Sequence, residues 1–218
     1  QLQANEITLK TLKVISTAIE TDELKATSAI KVYTQKDIEE AHVQNIAEFL
    51  NTHTSVSTTP SYGNPFTPTL DMHGYSAANG NQNIVITING RKLNNIDSMS
   101  QLLGSISPSS ISRIEIIKSS GIVLGGDGAN AGVINIITKN NNDKNITFYL
   151  GTYGLIDSSF YVGHSDDKLS LSVSGEVQKN NGTRVVDTVG NKDKNKFFTG
   201  TFNIAYKPLE ELELRFGA

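Results

Sequence analysis

The sequence predicts a mixed α+β unit followed by a run of antiparallel strands. Three observations carry that expectation. A capping pair, Thr34 and Asp37, precedes apolar residues at helical spacing, Ile46, Phe49 and Leu50. Short β-branched runs at 83–89, 111–118 and 132–139 are separated by polar or glycine-rich spans. After Asn140 the texture changes to strict alternation of apolar and polar residues.

Bulk properties bound the answer. The 218 residues suffice for one or two domains, and 37% of them are hydrophobic. No apolar stretch approaches the roughly 20 residues of a spanning helix, so the chain is either soluble or part of a β-barrel. A net charge of −3 without a basic run argues against nucleic acid as a partner. The absence of cysteine removes disulfides, thiolate metal sites and cysteine nucleophiles. A start at Gln1 with no apolar leader fits a mature exported protein.

Residues 1–28 are polar and aperiodic and read as a flexible arm, with one β-prone patch formed by Leu12, Lys13, Val14, Ile15, Ser16 and Thr17. A short strand is expected over 29–34, a helix from the cap to about Ala41, and a second short helix through Leu50. The span 51–68, with Pro60, Pro65 and Pro68, reads as a loop that presents Tyr62 and Phe66. Asn89-Gly90 is a tight-turn signal after the strand at 83–89. The span 119–131, holding Gly121, Gly125, Gly126 and Gly128, requires a loop of unusual backbone angles.

In the last third, Leu169, Leu171, Val173, Gly175 and Val177 alternate with Ser170, Ser172, Ser174 and Glu176. Phe198, Gly200, Phe202, Ile204 and Tyr206 do the same, as do Leu212, Leu214 and Phe216. A half-buried sheet in water and a membrane barrel share this pattern. The connections favour the barrel, because short turns at 164–167 and 208–210 oppose a long polar loop at 180–195.

Motifs for chemistry are wanting. The glycine cluster lacks the Gly-Lys-Ser/Thr ending of a phosphate loop, and Asp127 would repel phosphate. His42, His53, His73 and His164 show no ligand spacing, and no nucleophile elbow occurs, so neither a metal centre nor an enzyme is expected.

The run ISRIEIIKSSGIVLGGDGANAGVINIITK at 111–139 resembles the end of the plug in TonB-dependent receptors. Residues 28–50 resemble the start of that plug, 84–93 its "DG" strand and turn with Asn89-Gly90 in place of Asp-Gly, and 146–218 the first strands of the barrel. There are departures. His73-Gly74 stands where the family has Arg-Gly, Lys118-Ser119-Ser120 where it has Lys/Arg-Gly-Pro, and Gly125-Gly126 where it has Tyr-Gly.

The resemblance implies an arm with a TonB box over 1–28, an α+β plug with a small mixed sheet and short helices over 29–140, and the start of a transmembrane β-barrel over 141–218, incomplete in this chain. Barrels of this size class have about 22 strands around a plugged lumen; this chain supplies about five, and so reads as a piece of a larger receptor or a truncated product.

The implied role is import across the outer membrane of a metal chelate such as an iron-siderophore, with plug and arm facing the periplasm. Cobalamin, haem or a carbohydrate is the alternative cargo, and a truncated plug acting as a periplasmic binding module the alternative role. TonB is the implied energy partner, grasping Leu12 to Thr17, with a second register at 6–10. The apical loops would bring Tyr62, Phe66, Tyr75, Asn79, Asn81, Asn94 and Asp97 to the substrate, and Arg113 with Glu115 would face the barrel wall. No cofactor is implied, the barrel would contact outer-membrane lipid, and the receptor would be a monomer.

Overall fold

The computed structural model describes residues 13–14, 21–22, 30–61, 64–74, 82–93, 103, 106–118, 128–182, 185, 188–209 and 212–217. Two short strands, β1 (Lys13–Val14) and β2 (Thr21–Asp22), pair antiparallel with each other, apart from the other sheets. β3 (Ile30–Thr34) leads directly into α1 (Gln35–Glu40), and α2 (Ile46–His53) follows.

The capping box is formed. The Thr34 hydroxyl accepts from the Asp37 amide at 3.4 Å, and the Asp37 carboxylate accepts from the Thr34 amide at 2.7 Å. The Thr34 hydroxyl also donates to the Asp37 carboxylate at 2.7 Å, and this bond, followed by that from the Thr34 amide, holds the Asp37 carboxyl below its usual range. A depressed carboxyl stabilises the fold above its unfolded pKa of about 3.9, and that contribution fades as pH falls through the lower folded value. Thr34→Ala is therefore expected to cut exchange protection of the α1 amides about fivefold near neutral pH, the usual worth of a cap. The difference should shrink in acid below about pH 4. Unchanged protection at neutral pH would remove the cap from the account.

In α2, Asn45 caps the Glu48 amide at 2.9 Å, and Ile46, Ala47, Phe49 and Leu50 turn inward. Phe49 meets Tyr33 of β3 edge-on at 5.4 Å.

The expected loop over 51–68 is instead a hairpin of β4 (Ser57–Ser61) and β5 (Asn64–Asp71). Prolines usually argue against strands, but Pro60 and Pro68 sit opposite each other in a two-stranded ladder with a register shift beside Pro60. Such a ladder has only edge strands, where a missing N–H breaks no second pairing.

The central sheet has the order β3-β8-β9-β6-β7, adding β6 (Ile84–Ile88), β7 (Arg91–Lys92), β8 (Ile111–Ile117) and β9 (Gly132–Thr138). β6 runs parallel to β9 and every other pairing is antiparallel, so the sheet is mixed, as expected. Asn89 and Gly90 both take positive φ, 49° and 82°, the geometry of a two-residue hairpin turn. On one face Ile84, Ile86, Ile114, Ile116, Ile134 and Ile136 pack with Phe49, Leu50, Leu70 and Met72. On the other, Val85, Ile117, Val133 and Ala129 form a smaller cluster. The sheet is thus buried on both sides, more than the single Ile84–Ile86–Ile88 face the alternation suggests. Gly132 (φ 153°) is where chain crossing is tightest: a Cβ there would strike the Ile117 carbonyl oxygen and lie 2.7 Å from Met72 Sδ.

Beyond residue 143 the chain forms a meander in sequence order, β10 (Lys144–Leu150), β11 (Ile156–Ser165), β12 (Leu169–Asn180), β13 (Asn195–Leu209) and β14 (Leu212–Gly217). All pairings are antiparallel, and no helix follows residue 146 among the described residues apart from a 3-10 turn at Thr152–Gly154.

Candidate functional site

The five-stranded meander has its polarity reversed relative to a soluble sheet. Side chains on the covered face are Ser159, Ser170, Ser172, Ser174, Glu176, Gln178 and Thr199, all buried. The apolar partners of the alternation point outward: Phe148 is 75% exposed, Phe198 76% and Val173 50%. Water would penalise such a face and reward the opposite one. Hydrocarbon outside and a filled polar lumen inside reverse the preference. The strands of 10, 12 and 15 residues suit a tilted crossing of a bilayer. No described helix is long and apolar enough to cross a membrane, which says nothing about strands.

Among the described residues, the covered face meets the first unit beside Ser107 and at Lys139. Ser107, buried beside the 3-10 turn Pro108–Ser110, faces the Glu176 carboxyl of β12. At the junction, Lys139 closes β9 with only 1% of its side chain exposed. Its ammonium lies 3.5 Å from Glu39 Oε1 of α1, 3.6 Å from Asp143 Oδ2 and 5.3 Å from the ring centre of Tyr161 in β11. One buried cation therefore ties a helix of the first unit to the linker and to the wall. The alternation around Lys139 hides it: a lysine ending an apolar run looks like a strand leaving the core for solvent.

On the sheet face turned away from the helices, a polar chain crosses three strands. Thr87 Oγ1 donates to Asn135 Oδ1 at 2.7 Å, Asn135 Nδ2 donates to Glu115 Oε2 at 3.0 Å, and Arg113 Nε donates to Glu115 Oε1 at 2.9 Å. Glu115 is fully buried and Arg113 is 20% exposed. A buried carboxylate is tolerable only when paired and hydrogen-bonded, and this one has both kinds of partner. The sequence marks Arg113 and Glu115, but Asn135 and Thr87 join them only through the register of strands distant in the chain.

His73, standing where the resemblance has an arginine, takes φ 61° and places Nε2 2.6 Å from the Lys118 carbonyl oxygen. That imidazole thus pins the β5 exit to the end of β8. Of the expected substrate residues, Tyr62, Tyr75, Asn79, Asn81, Asn94 and Asp97 lie outside the described residues, and for Phe66 only the backbone, in β5, is described. Of the expected TonB box, Leu12, Ile15, Ser16 and Thr17 lie outside them, while Lys13 and Val14 form β1. Among the described residues no group of three or more acids or histidines could hold a metal ion.

The family pattern of the TonB-dependent receptor plug domain matches residues 22–133, just over half of the chain. The ferric aerobactin receptor of Klebsiella pneumoniae is 34% identical over 114 residues, covering 50% of this chain and 15% of that receptor. The ferric yersiniabactin uptake receptor FyuA from Yersinia pestis superposes with a TM-score of 0.69 at 18% identity, over 87% of this chain and 30% of FyuA. The siderophore receptor PirA from Acinetobacter baumannii gives 0.62 at 21% identity, over 84% and 30%. At such identities the structures speak for the fold, plug and adjoining barrel strands together, and this chain spans less than a third of each of these three proteins.

Proposed function

The chain belongs to the TonB-dependent receptor plug domain family, and from that premise we propose that it closes the lumen of an outer-membrane receptor importing a ferric siderophore. The reversed polarity of the β10–β14 sheet carries the reading: a hydroxyl-lined inner face against a plug, and an apolar outer face, make the wall of a filled membrane barrel. The relatives named for ferric aerobactin and ferric yersiniabactin favour a siderophore over cobalamin, haem or a carbohydrate.

In this reading substrate docks on the apical loops, the arm is then grasped by TonB from the periplasm, and the plug is remodelled to let the substrate pass. No bond is made or broken in the substrate. The polar chain ending in Arg113 occupies the sheet face free of helices, which supports its role toward barrel strands outside this chain. Gly121, Gly125 and Gly126 of the glycine-rich span lie outside the described residues.

The test is uptake of radiolabelled ferric iron by cells carrying the full-length receptor, offered a panel of hydroxamate and catecholate siderophores. Uptake of one siderophore that needs TonB supports the reading. Uptake of haem or cobalamin instead would reassign the cargo, and no uptake of any would leave the binding-module alternative. The loop aromatics supply a second check. Tyr62→Ala, Phe66→Ala and Tyr75→Ala are each expected to weaken surface binding of that siderophore roughly five- to tenfold, the loss of one stacking contact, with the barrel intact. Unchanged affinity in all three would detach these loops from the substrate.

A further inference from the structure

The outward face of β12 and β13 carries a feature that the import reading does not use. Lys179 and Lys196 are direct cross-strand partners at the end of the ladder next to the long loop, on the same outward side as Val177 and Phe198. Like charges directly opposite each other repel, and among the described residues neither lysine has an acidic partner. The surroundings add to the field. The span 179–196 holds Lys179, Arg184, Lys192, Lys194 and Lys196 against Asp187 and Asp193, in a chain whose net charge is −3.

Next to the lysine pair along the same outward face lies an open groove of about 390 Å³, lined by Phe160, Val173, Val177, Phe198, Gly200 and Phe202. Its floor is the cross-strand glycine pair Gly175 and Gly200. Phe160 lies over Gly175, where a Cβ would come within 2.6 Å of its ring. Above Gly200 the space is open, the Ser174 carbonyl oxygen at 3.7 Å being the sole neighbour of a Cβ placed there. An apolar trough thus leads away from two unpaired cations.

We propose that this outer face binds one phospholipid of net negative charge from the surrounding membrane, its phosphate between Lys179 and Lys196 and one acyl chain in the groove over Gly200. The inference rests on the barrel reading, in which this face looks into the bilayer and the long loop lies at the outer rim. There an anion relieves the repulsion of the lysine pair, and a hydrocarbon chain fills a trough that protein leaves empty. Cations near an anionic surface contribute roughly 1 kcal/mol each. The phosphate sits at headgroup depth and the chain at acyl depth, so one lipid satisfies both halves of the site.

The test uses the full-length receptor folded in detergent and native mass spectrometry, with phosphatidylglycerol and phosphatidylcholine of the same acyl chains as probes. Phosphatidylglycerol should be retained preferentially, and K179Q/K196Q should weaken its retention about thirtyfold, the product of two such charges. K179R/K196R should keep it, and Gly200→Phe should weaken it with both lysines present. Equal retention of the two lipids, or full retention by K179Q/K196Q, overturns the proposal. Displacement of phosphatidylglycerol by an equal concentration of inorganic phosphate also overturns it, in favour of a free-phosphate site. Heat-modifiable gel mobility reads the barrel separately. A receptor that runs as a folded barrel but shows no lipid preference refutes the lipid site alone. A chain that never forms a heat-modifiable barrel refutes the import reading beneath it.

Discussion

In the full-length receptor, Val14→Pro or Ile15→Pro is expected to abolish substrate uptake while binding at the cell surface persists. The stretch Leu12 to Thr17 is the proposed grip for TonB, and a β-prone peptide is held by adding a strand to another protein's sheet edge. Main-chain N–H groups supply that grip, so most side-chain changes there should matter little, whereas proline deletes a donor and fixes φ. The pairing of Lys13–Val14 with Thr21–Asp22 shows that this backbone takes up a strand ladder. Radiolabelled uptake and surface binding, measured in parallel, separate the outcomes. Normal uptake by both proline variants would refute the assignment, and joint loss of binding would move the segment from energy coupling to the fold.

The second large effect concerns the wall. Val173→Arg is expected to destabilise the folded receptor by roughly 2–4 kcal/mol, the cost of an arginine on the lipid face near the midplane of a barrel. The neighbouring Ser172→Ala, on the covered face, should cost well under that, since it removes one hydroxyl from a polar wall. Denaturant titration followed by heat-modifiable mobility measures both. If the sheet instead faced water, an arginine in place of a half-exposed valine would be neutral; a neutral Val173→Arg would therefore overturn the barrel assignment.

Local signals were the legible ones. Thr34 and Asp37 announce a capping box because both partners lie within one turn, and Asn89-Gly90 announces a hairpin because the two residues alone set its backbone. Alternation marks the strands of the wall, but the same letters describe a soluble sheet; only the placement of Ser172 inside and Val173 outside decides between them. The hairpin at 57–71 stayed hidden because Pro60, Pro65 and Pro68 speak of loops unless the ladder is known to have free edges. The Thr87–Asn135–Glu115 chain and the Lys139 junction depend on contacts made across 48 and 100 positions, respectively, at their longest. No window of sequence contains them.

The strand order also fixes the order in which the first sheet can be completed. β9 is the middle strand of the first sheet, and it is the last of the five to be made. Before it arrives, β3-β8 and β6-β7 share no neighbour, and closing β6 onto β9 requires a loop of more than forty residues between Ile88 and Gly132. The meander has no such delay, since Ser165 already pairs with Ser170 across a tight turn. High contact order slows the one and low contact order speeds the other. The first sheet is therefore two loose half-sheets until β9 pairs with both, and the strand that unites them is followed at once by the linker into the barrel wall.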